Sequence, residues 1–191
     1  MKNRLLKKTK DWISVGEKYH LTVIDHPDGE HLVKYLNDKG VSSQTCSIPY
    51  PYRMEDAMKF IDQSIAFETA EGQQSFWAIR MSSGELIGGI GLLYDEGVQA
   101  DSSELGYWLG RPFWNQGIMT EVLHSLSAHI FKEGIIQRLV AKVFVGNEAS
   151  RKVLEKSGFR EIAFENNAFI KAGIPIDAHV YELTEASYIP Q

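Results

Sequence analysis

The segment from Glu104 to Leu123 constrains the fold of this chain more than any other. Apolar residues alternate along 105–109 with the period of a strand, and they recur along 118–130 with the period of a helix. A helix N-terminus leaves several N–H groups without carbonyl partners, and its dipole favours negative charge. Gly117 has no Cβ, so an anion can approach these amides closely. The pattern predicts a phosphate site, or else a plain strand-to-helix connection in which Gly117 only makes the turn.

Composition places the chain among ordinary soluble globular proteins and excludes several functions. Its 191 residues, 43% hydrophobic and 24% charged, are enough for one compact domain with a full core. The net charge of -5 argues against a general nucleic-acid binder and weakly favours cationic substrates. Because Cys46 is the single cysteine, the chain has no intrachain disulfide and no multi-cysteine metal site. A single cysteine also fits a reducing compartment.

The first ten residues are basic but lack the apolar core of a signal peptide. No apolar run approaches the ~20 residues needed to span a bilayer. We therefore expect a cytoplasmic protein that has no membrane association. We predict an N-terminal extension over 1–19, a single domain over 20–185 and a tail over 186–191.

The remaining segments predict a mixture of strands and helices. The expected strands are His20–Ile24, Ser75–Met81, Glu85–Tyr94, Arg138–Val145, Arg160–Phe164 and Ala178–Thr184. The expected helices are Gly29–Leu36, Met54–Phe67 and a short one that ends at Ser157. Residues 37–52 are expected to be irregular, since Pro49 and Pro51 exclude regular helix. This order predicts an α+β or mixed α/β domain around one largely antiparallel sheet.

Three helix ends carry capping signals. Asp28 is placed to cap the helix over 29–36. Asn147 is a good N-cap, and Ser150 stands at the third position of its helix. Gly158 is expected to end that helix in a left-handed conformation, with Phe159 folding back onto it.

Two motifs suggest other functions, but neither has the spacing that its function requires. Gly88-Gly-Ile-Gly91 is not a dinucleotide fingerprint, because Tyr94 stands where the third glycine belongs and a strand continues. His124 and His129 are five residues apart, and this spacing does not put two metal ligands on one helix face. We therefore expect no metal.

Two segments, Trp114–Thr120 and Asn147–Phe159, have the spacing typical of the GNAT N-acetyltransferases, which bind acyl-coenzyme A. Further markers are Ile48-Pro-Tyr-Pro-Tyr52, Phe76-Trp-Ala-Ile79 and Glu104-Leu-Gly-Tyr-Trp-Leu109. From about Leu21 to Thr184 the chain resembles the branch that contains the ribosomal-protein alanine and serine N-terminal acetyltransferases. The resemblance implies the GNAT fold: a mostly antiparallel central sheet with one splayed parallel strand pair, and helices on both faces.

The resemblance also implies acetyl-CoA as cosubstrate, lying where the strands Glu104–Leu109 and Arg138–Val145 part. The residues that would bind it are Tyr107, Trp108, Leu109, Trp114, Asn115, Gln116, Gly117, Ile118, Met119, Thr120, Asn147 and Ser150. The family's diphosphate loop has Gln or Arg where Trp114 stands and Gly or Ala where Met119 stands. Because main-chain amides hold the diphosphate, we expect binding in spite of both differences.

The reaction implied is direct attack of a neutral amine on the thioester. Glu104 is expected to act as general base, directly or through water, or else to be a solvated carboxylate at a strand end. Either Ser150 or Tyr181 would protonate the departing thiolate, although Tyr181 also fits a half-buried aromatic on a closing strand. Tyr50, Tyr52 and Trp77 are expected to line the acceptor pocket, or else to belong to the core.

The function expected from the resemblance is acetyl transfer to a primary amine, above all a protein N-terminal α-amine. An antibiotic or polyamine acetyltransferase is an open alternative, because nothing in the acceptor-side residues determines charge or shape. A second open alternative is a module that binds acyl-CoA without turning it over. The expected partners are acetyl-CoA and the acceptor amine, without nucleic acid; a homodimer is left open.

Overall fold

The structure is a computed structural model that describes residues 12–71, 74–93, 101–134 and 136–190. The strands are β1 Ile13–Val15, β2 Tyr19–Thr22, β3 Phe76–Met81, β4 Leu86–Leu93, β5 Ser102–Leu109, β6 Arg138–Phe144, β7 Arg160–Lys171 and β8 Ile174–Thr184. The helices are α1 Gly29–Leu36, α2 Lys39–Ser43, α3 Met54–Glu71, α4 Ile118–Lys132 and α5 Glu148–Lys156. Tyr94, which the sequence assigned to the end of a strand, lies outside the described residues.

The strands follow the order β1-β2-β3-β4-β5-β6-β8-β7. The pairs β1–β2, β2–β3, β3–β4, β6–β8 and β7–β8 are antiparallel, and the pair β5–β6 is parallel. This confirms the predicted mixed fold with a largely antiparallel sheet and one parallel pair. None of the helices in the described ranges has both the length and the apolar character that a membrane crossing requires.

The chain divides into two compact units. The first comprises the residues up to Gly91 together with Tyr107–Ile118, and the second comprises Leu92–Gly106 together with the residues from Met119 onward. In the first unit, helices α1, α2 and α3 bury their apolar faces in one cluster with residues of β3, β4 and β5. Its buried members are Ile24, Leu32, Tyr35, Leu36, Val41, Tyr52, Ala57, Ile61, Ala78, Leu86 and Trp108.

In the second unit, β6 pairs with β8 along its whole length, and β7 and β8 form a long hairpin. The parallel register between β5 and β6 runs from Ser102–Arg138 to Glu104–Val140. It stops there, although β5 continues to Leu109 and β6 to Phe144. Helix α4 buries the apolar side chains that its period predicted, among them Val122, Leu123, Leu126 and Ile130.

Several elements differ from the sequence expectation. A strand forms at 13–15, inside the predicted extension, and pairs with β2. Helix α2 forms in the stretch 37–52 that was predicted to be irregular, because the Asp38 carboxylate caps it by accepting from Gly40 N and Val41 N. Strands β7 and β8 extend far beyond the predicted segments and meet at a tight turn around Gly173.

The three capping predictions had different outcomes. Asp28 occupies the N-cap position of α1, but its side chain makes no capping hydrogen bond there, so this prediction was wrong. Asn147 caps α5 as predicted, accepting from Ser150 N at 3.1 Å. Gly158 adopts a φ of 88°, and Phe159 N donates to Leu154 O at 3.0 Å, which confirms the left-handed cap.

Candidate functional site

The turn between β5 and α4 is held in shape by two side chains that bond to its own backbone. Trp114 Nε1 donates to Leu109 O at 2.7 Å, and Gln116 Nε2 donates to Pro112 O at 2.8 Å. Asn115 and Gly117 both have left-handed backbones, with φ of 59° and 79°. Left-handed residues in a turn can gather successive N–H groups into a concavity suited to an anion.

Gly117 immediately precedes α4, which begins at Ile118 and so confirms the predicted helix start. A Cβ added to Gly117 would meet no heavy atom within 4 Å. The space around this Cβ position is therefore open, and a side chain at 117 would occupy it. The side chains of Ile118 and Met119 are buried. This local geometry suits a phosphate bound to main-chain amides.

Arg111 ties this turn to another part of the first unit. Its guanidinium makes a bidentate ion pair with Asp38, from Nε to Oδ2 at 2.7 Å and from Nη2 to Oδ1 at 2.6 Å. The Arg111 hydrogen bonds lower the pKa of Asp38 from its usual value to about 2. The sequence analysis did not single out either residue, because 73 positions separate them along the chain.

Glu104 lies on β5 in the second unit, opposite Val140 of β6. Lys142 lies two residues further along β6, on the same face of the sheet, with its Nζ 3.8 Å from Glu104 Oε2 and 2.9 Å from Glu165 Oε2. The sequence analysis missed Lys142 and Glu165. Strand period predicts that Lys142 shares a face with Val140, but it gives no information about Glu165, which lies on the separate strand β7.

Asn147 and Ser150 lie together at the start of α5 in the second unit. The Asn147 side-chain oxygen is used by the cap, whereas its amide nitrogen takes no part in that bond. Ser150 is half-buried in the first turn of the helix. The structure thus brings these two predicted residues together through the cap.

Tyr181 is fully buried, and its hydroxyl lies in a network of charged groups. Arg151 Nε donates to the hydroxyl at 3.1 Å, and the hydroxyl lies 3.3 Å from one carboxylate oxygen each of Glu155 and Glu161. Burial raises the pKa of Tyr181.

Strand register separates Tyr181 from Glu104. Glu104 lies opposite Val140, Val140 lies opposite Glu182, and Tyr181 precedes Glu182 on β8. Because neighbouring residues of a strand point to opposite faces, Tyr181 and Glu104 do not share a face of the sheet. The structure does not bring these two predicted catalytic residues together.

The three predicted acceptor residues lie in different environments within the first unit. Tyr50 is 55% exposed, whereas Tyr52 and Trp77 are only 5% and 2% exposed. Burial raises the pKa of Tyr52 to about 12, and its ring belongs to the apolar cluster. Burial therefore favours the alternative in which Tyr52 and Trp77 belong to the core. Tyr50 is exposed and so accessible to an acceptor.

Comparison with known proteins shows the family. The family described as "Acetyltransferase (GNAT) domain" matches residues 20–160. An uncharacterized N-acetyltransferase of Bacillus subtilis, YoaA, is 30% identical over 69% of this chain and 74% of its own length. The ribosomal-protein-serine acetyltransferase of Escherichia coli is 32% identical over 36% of this chain and 41% of its own length.

Among solved structures, the ribosomal-protein alpha-N-acetyltransferase RimL in complex with coenzyme A superimposes with a TM-score of 0.80. The match covers 91% of this chain and 98% of that one, at 24% sequence identity, and it shows a shared fold. The family match extends over most of the described residues and includes the turn at Gly117. This chain is an acetyltransferase and belongs to the GNAT family.

Proposed function

We propose that this enzyme transfers the acetyl group of acetyl-CoA to the α-amino group of a protein N-terminus, in the cytoplasm. The likeness to the Escherichia coli ribosomal-protein-serine acetyltransferase and to RimL supports a protein acceptor. The coenzyme A bound to RimL supports the donor. The observation on which the proposal rests most is the position of Gly117, which is left-handed, has nothing within 4 Å of its Cβ position and directly precedes α4.

The residues around Gly117 fit a diphosphate. The backbone amides from Gln116 to Thr120 would hold it, since the turn is pinned by Trp114 and the Cβ position of Gly117 is open. The main chain of Tyr107–Leu109 would pair with the pantetheine arm as an added strand does. Asn147 would hydrogen-bond that arm, and Ser150 would lie near the sulfur. Acetyl-CoA supplies the thioester that the amine attacks.

The acceptor amine must lose its proton before it can attack. A free α-amino group has a pKa of about 7.7–8.0 and a lysine side chain about 10.4, so deprotonating the lysine at pH 7 costs about 3 kcal/mol more. An N-terminal amine therefore needs only modest help from a base. We assign this role to Glu104, acting directly or through water.

Ser150 is the stronger choice for returning a proton to the thiolate. Tyr181 lies on the other face of the sheet from Glu104, and its hydroxyl is already engaged with Arg151, Glu155 and Glu161. On the acceptor side, Tyr50 is exposed and lies in the segment 48–52. We propose that its ring contacts the backbone of the entering N-terminal peptide.

The test is a thiol-release assay with acetyl-CoA and four classes of acceptor. These are peptides with a free N-terminal Ser or Ala, the same peptides with a blocked N-terminus and one lysine, polyamines, and aminoglycosides. Turnover with the free N-termini and little with the blocked peptides supports the proposal. Preference for a polyamine or an aminoglycoside overturns the protein acceptor. Coenzyme A binding with no transfer to any acceptor overturns the reaction itself.

A further inference from the structure

The ion pair between Asp38 and Arg111 joins two parts of the first unit. One is the turn 110–117 between β5 and α4, called the diphosphate turn below, and the other is the stretch 37–52 that precedes α3. Arg111 lies in the short 3-10 helix Arg111–Phe113 that leads into Trp114. Its guanidinium carbon lies 5.4 Å from the centre of the Trp114 ring, which is close enough for a cation–π contact. Arg111 thus contacts Trp114, the aromatic residue that pins the turn, and Asp38 at the same time.

The Asp38 carboxylate also organises α2. The oxygen that receives Arg111 Nη2 accepts from Gly40 N at 2.7 Å and from Val41 N at 3.3 Å. A Cβ at Gly40 would overlap the Arg111 guanidinium, so the arginine packs directly against the helix backbone. A displacement of Arg111 would therefore also shift the backbone of the first turn of α2.

Helix α2 in turn holds the segment 48–52, in which Tyr50 lies. Ser42 is 3% exposed, and its hydroxyl donates to Ile48 O at 2.9 Å. At the other end of the segment, Tyr52 N donates to Asn37 Oδ1 at 3.2 Å, and Asn37 immediately precedes Asp38. Both ends of the proposed acceptor segment are thus tied to residues next to Asp38 or on α2.

We propose that Asp38 and Arg111 are positioning residues that order the acceptor segment when the donor binds to the diphosphate turn. This inference rests on the function proposed above, because it requires a donor at Gly117. A bound diphosphate restrains the turn, Arg111 transmits the restraint to α2, and Ser42 transmits it to Ile48. The conformational entropy of the acceptor segment is lost when the donor binds. It is not lost a second time when the acceptor enters, so the acceptor binds more tightly.

Hydrogen exchange of peptides that cover 39–52, measured with and without saturating coenzyme A, tests the proposal without knowledge of the acceptor. In the wild-type protein we expect coenzyme A to slow exchange in this segment by about threefold or more. Asp38→Asn keeps a side chain that can cap α2 and removes the charge that holds Arg111. In this variant, at saturating coenzyme A, the slowing is expected to disappear.

Two further variants separate transmission from mere damage to the fold. Asp62→Asn breaks the exposed His26–Asp62 pair of the same unit, whose atoms lie 2.8 Å apart, and should leave the slowing intact. Ser42→Ala should keep the slowing in 39–43 and lose it in 44–48, while Tyr52 keeps its bond to Asn37. A merely structural role would raise exchange equally with and without coenzyme A, and the difference between the two states would remain.

The outcomes distinguish the two proposals. If calorimetry shows that the wild-type protein does not bind coenzyme A, the proposed function fails. If it binds coenzyme A and exchange in 39–52 does not change, the coupling is wrong while the function stands. Retention of the full slowing in Asp38→Asn likewise overturns the role of the ion pair.

Discussion

Arg80 on β3 and Asp28 before α1 form a bidentate ion pair, with Nη1–Oδ1 at 2.6 Å and Nη2–Oδ2 at 2.7 Å. Only 15% of the arginine side chain and 6% of the aspartate side chain are exposed. Asp25 N also donates to the Asp28 carboxylate at 2.9 Å, and Arg80 Nε donates to Thr22 Oγ1 at 2.7 Å. The side chain that the sequence assigned to a helix cap therefore joins the start of α1 to the sheet.

Replacing Asp28 should destabilise the protein strongly, because Arg80 would remain buried without its counter-charge. We expect Asp28→Ala to lower the free energy of unfolding by about 3–5 kcal/mol, as for other broken buried ion pairs. Urea denaturation measures this. Asp62→Ala, which breaks the exposed pair with His26, should lower it by less than about 1 kcal/mol. Equal losses in the two variants would contradict the importance of burial.

Gly117→Asp should abolish coenzyme A binding and leave the fold intact. The substitution puts a side chain into open space and a negative charge beside the helix amides, so we expect a loss of affinity of about 100-fold or more. Gly173→Asp is the matched control, since Gly173 has the same φ of 79° and nothing within 4 Å of its Cβ position. Backbone strain of about 1 kcal/mol is common to both variants.

Calorimetry with coenzyme A compares these two variants, and circular dichroism checks that both are folded. Unchanged affinity in folded Gly117→Asp would exclude this turn as the diphosphate site. A similar loss in Gly173→Asp would show that strain, and not position, causes the effect.

Glu104→Gln should lower kcat by about 100-fold at pH 7, the usual contribution of a general base. The defect should shrink as pH rises past about 8, because the α-amine then loses its proton without help. A pH–rate profile with a free N-terminal peptide measures this. Glu165→Gln is the control, since it removes the other carboxylate near Lys142 and leaves Glu104 in place. A constant ratio to wild type at all pH values would remove Glu104 from the proton transfer.

The Asp38–Arg111 pair should contribute to stability in a defined pH range. The pKa of Asp38 is lowered to about 2 from its ordinary value of 3.8, so its stabilising effect is present above pH 4. It is lost as pH falls through the folded-state pKa. Because Arg111 is exposed, we expect Asp38→Asn to lose only about 1 kcal/mol at pH 7. Urea titrations from pH 7 to pH 2 should show the wild type and the variant converging between about pH 4 and pH 2.

Sequence patterns predicted the elements whose signals are local. Helix α1 forms over the predicted residues, since its apolar side chains recur at helical spacing. The end of α5 was predictable because Gly158 and Phe159 are a compact signal for a left-handed cap. The start of α4 after Gly117 was predictable for the same reason, because its signal is local as well.

Elements that depend on distant partners were missed. Strand β1 has only three residues and is stabilised by pairing with β2. Strands β7 and β8 continue through register shifts between Glu161 and Ala163 and between Glu165 and Phe169, and these shifts break the two-residue period. The role of Asp28 could not be predicted, since Arg80 is 52 positions away along the chain. The roles of the donor and catalytic residues remain predictions.

The close approach of Gly40 to Arg111 has an evolutionary consequence. Any side chain at position 40 would displace the guanidinium, which is the flexible and exposed end of Arg111, and would so disturb its ion pair with Asp38. Among relatives, we expect a larger residue at position 40 to accompany a displaced or absent arginine at 111, and therefore a weaker coupling between the two segments that we propose bind the substrates. Members of the family that bind their substrates independently of each other are expected to be found among these sequences.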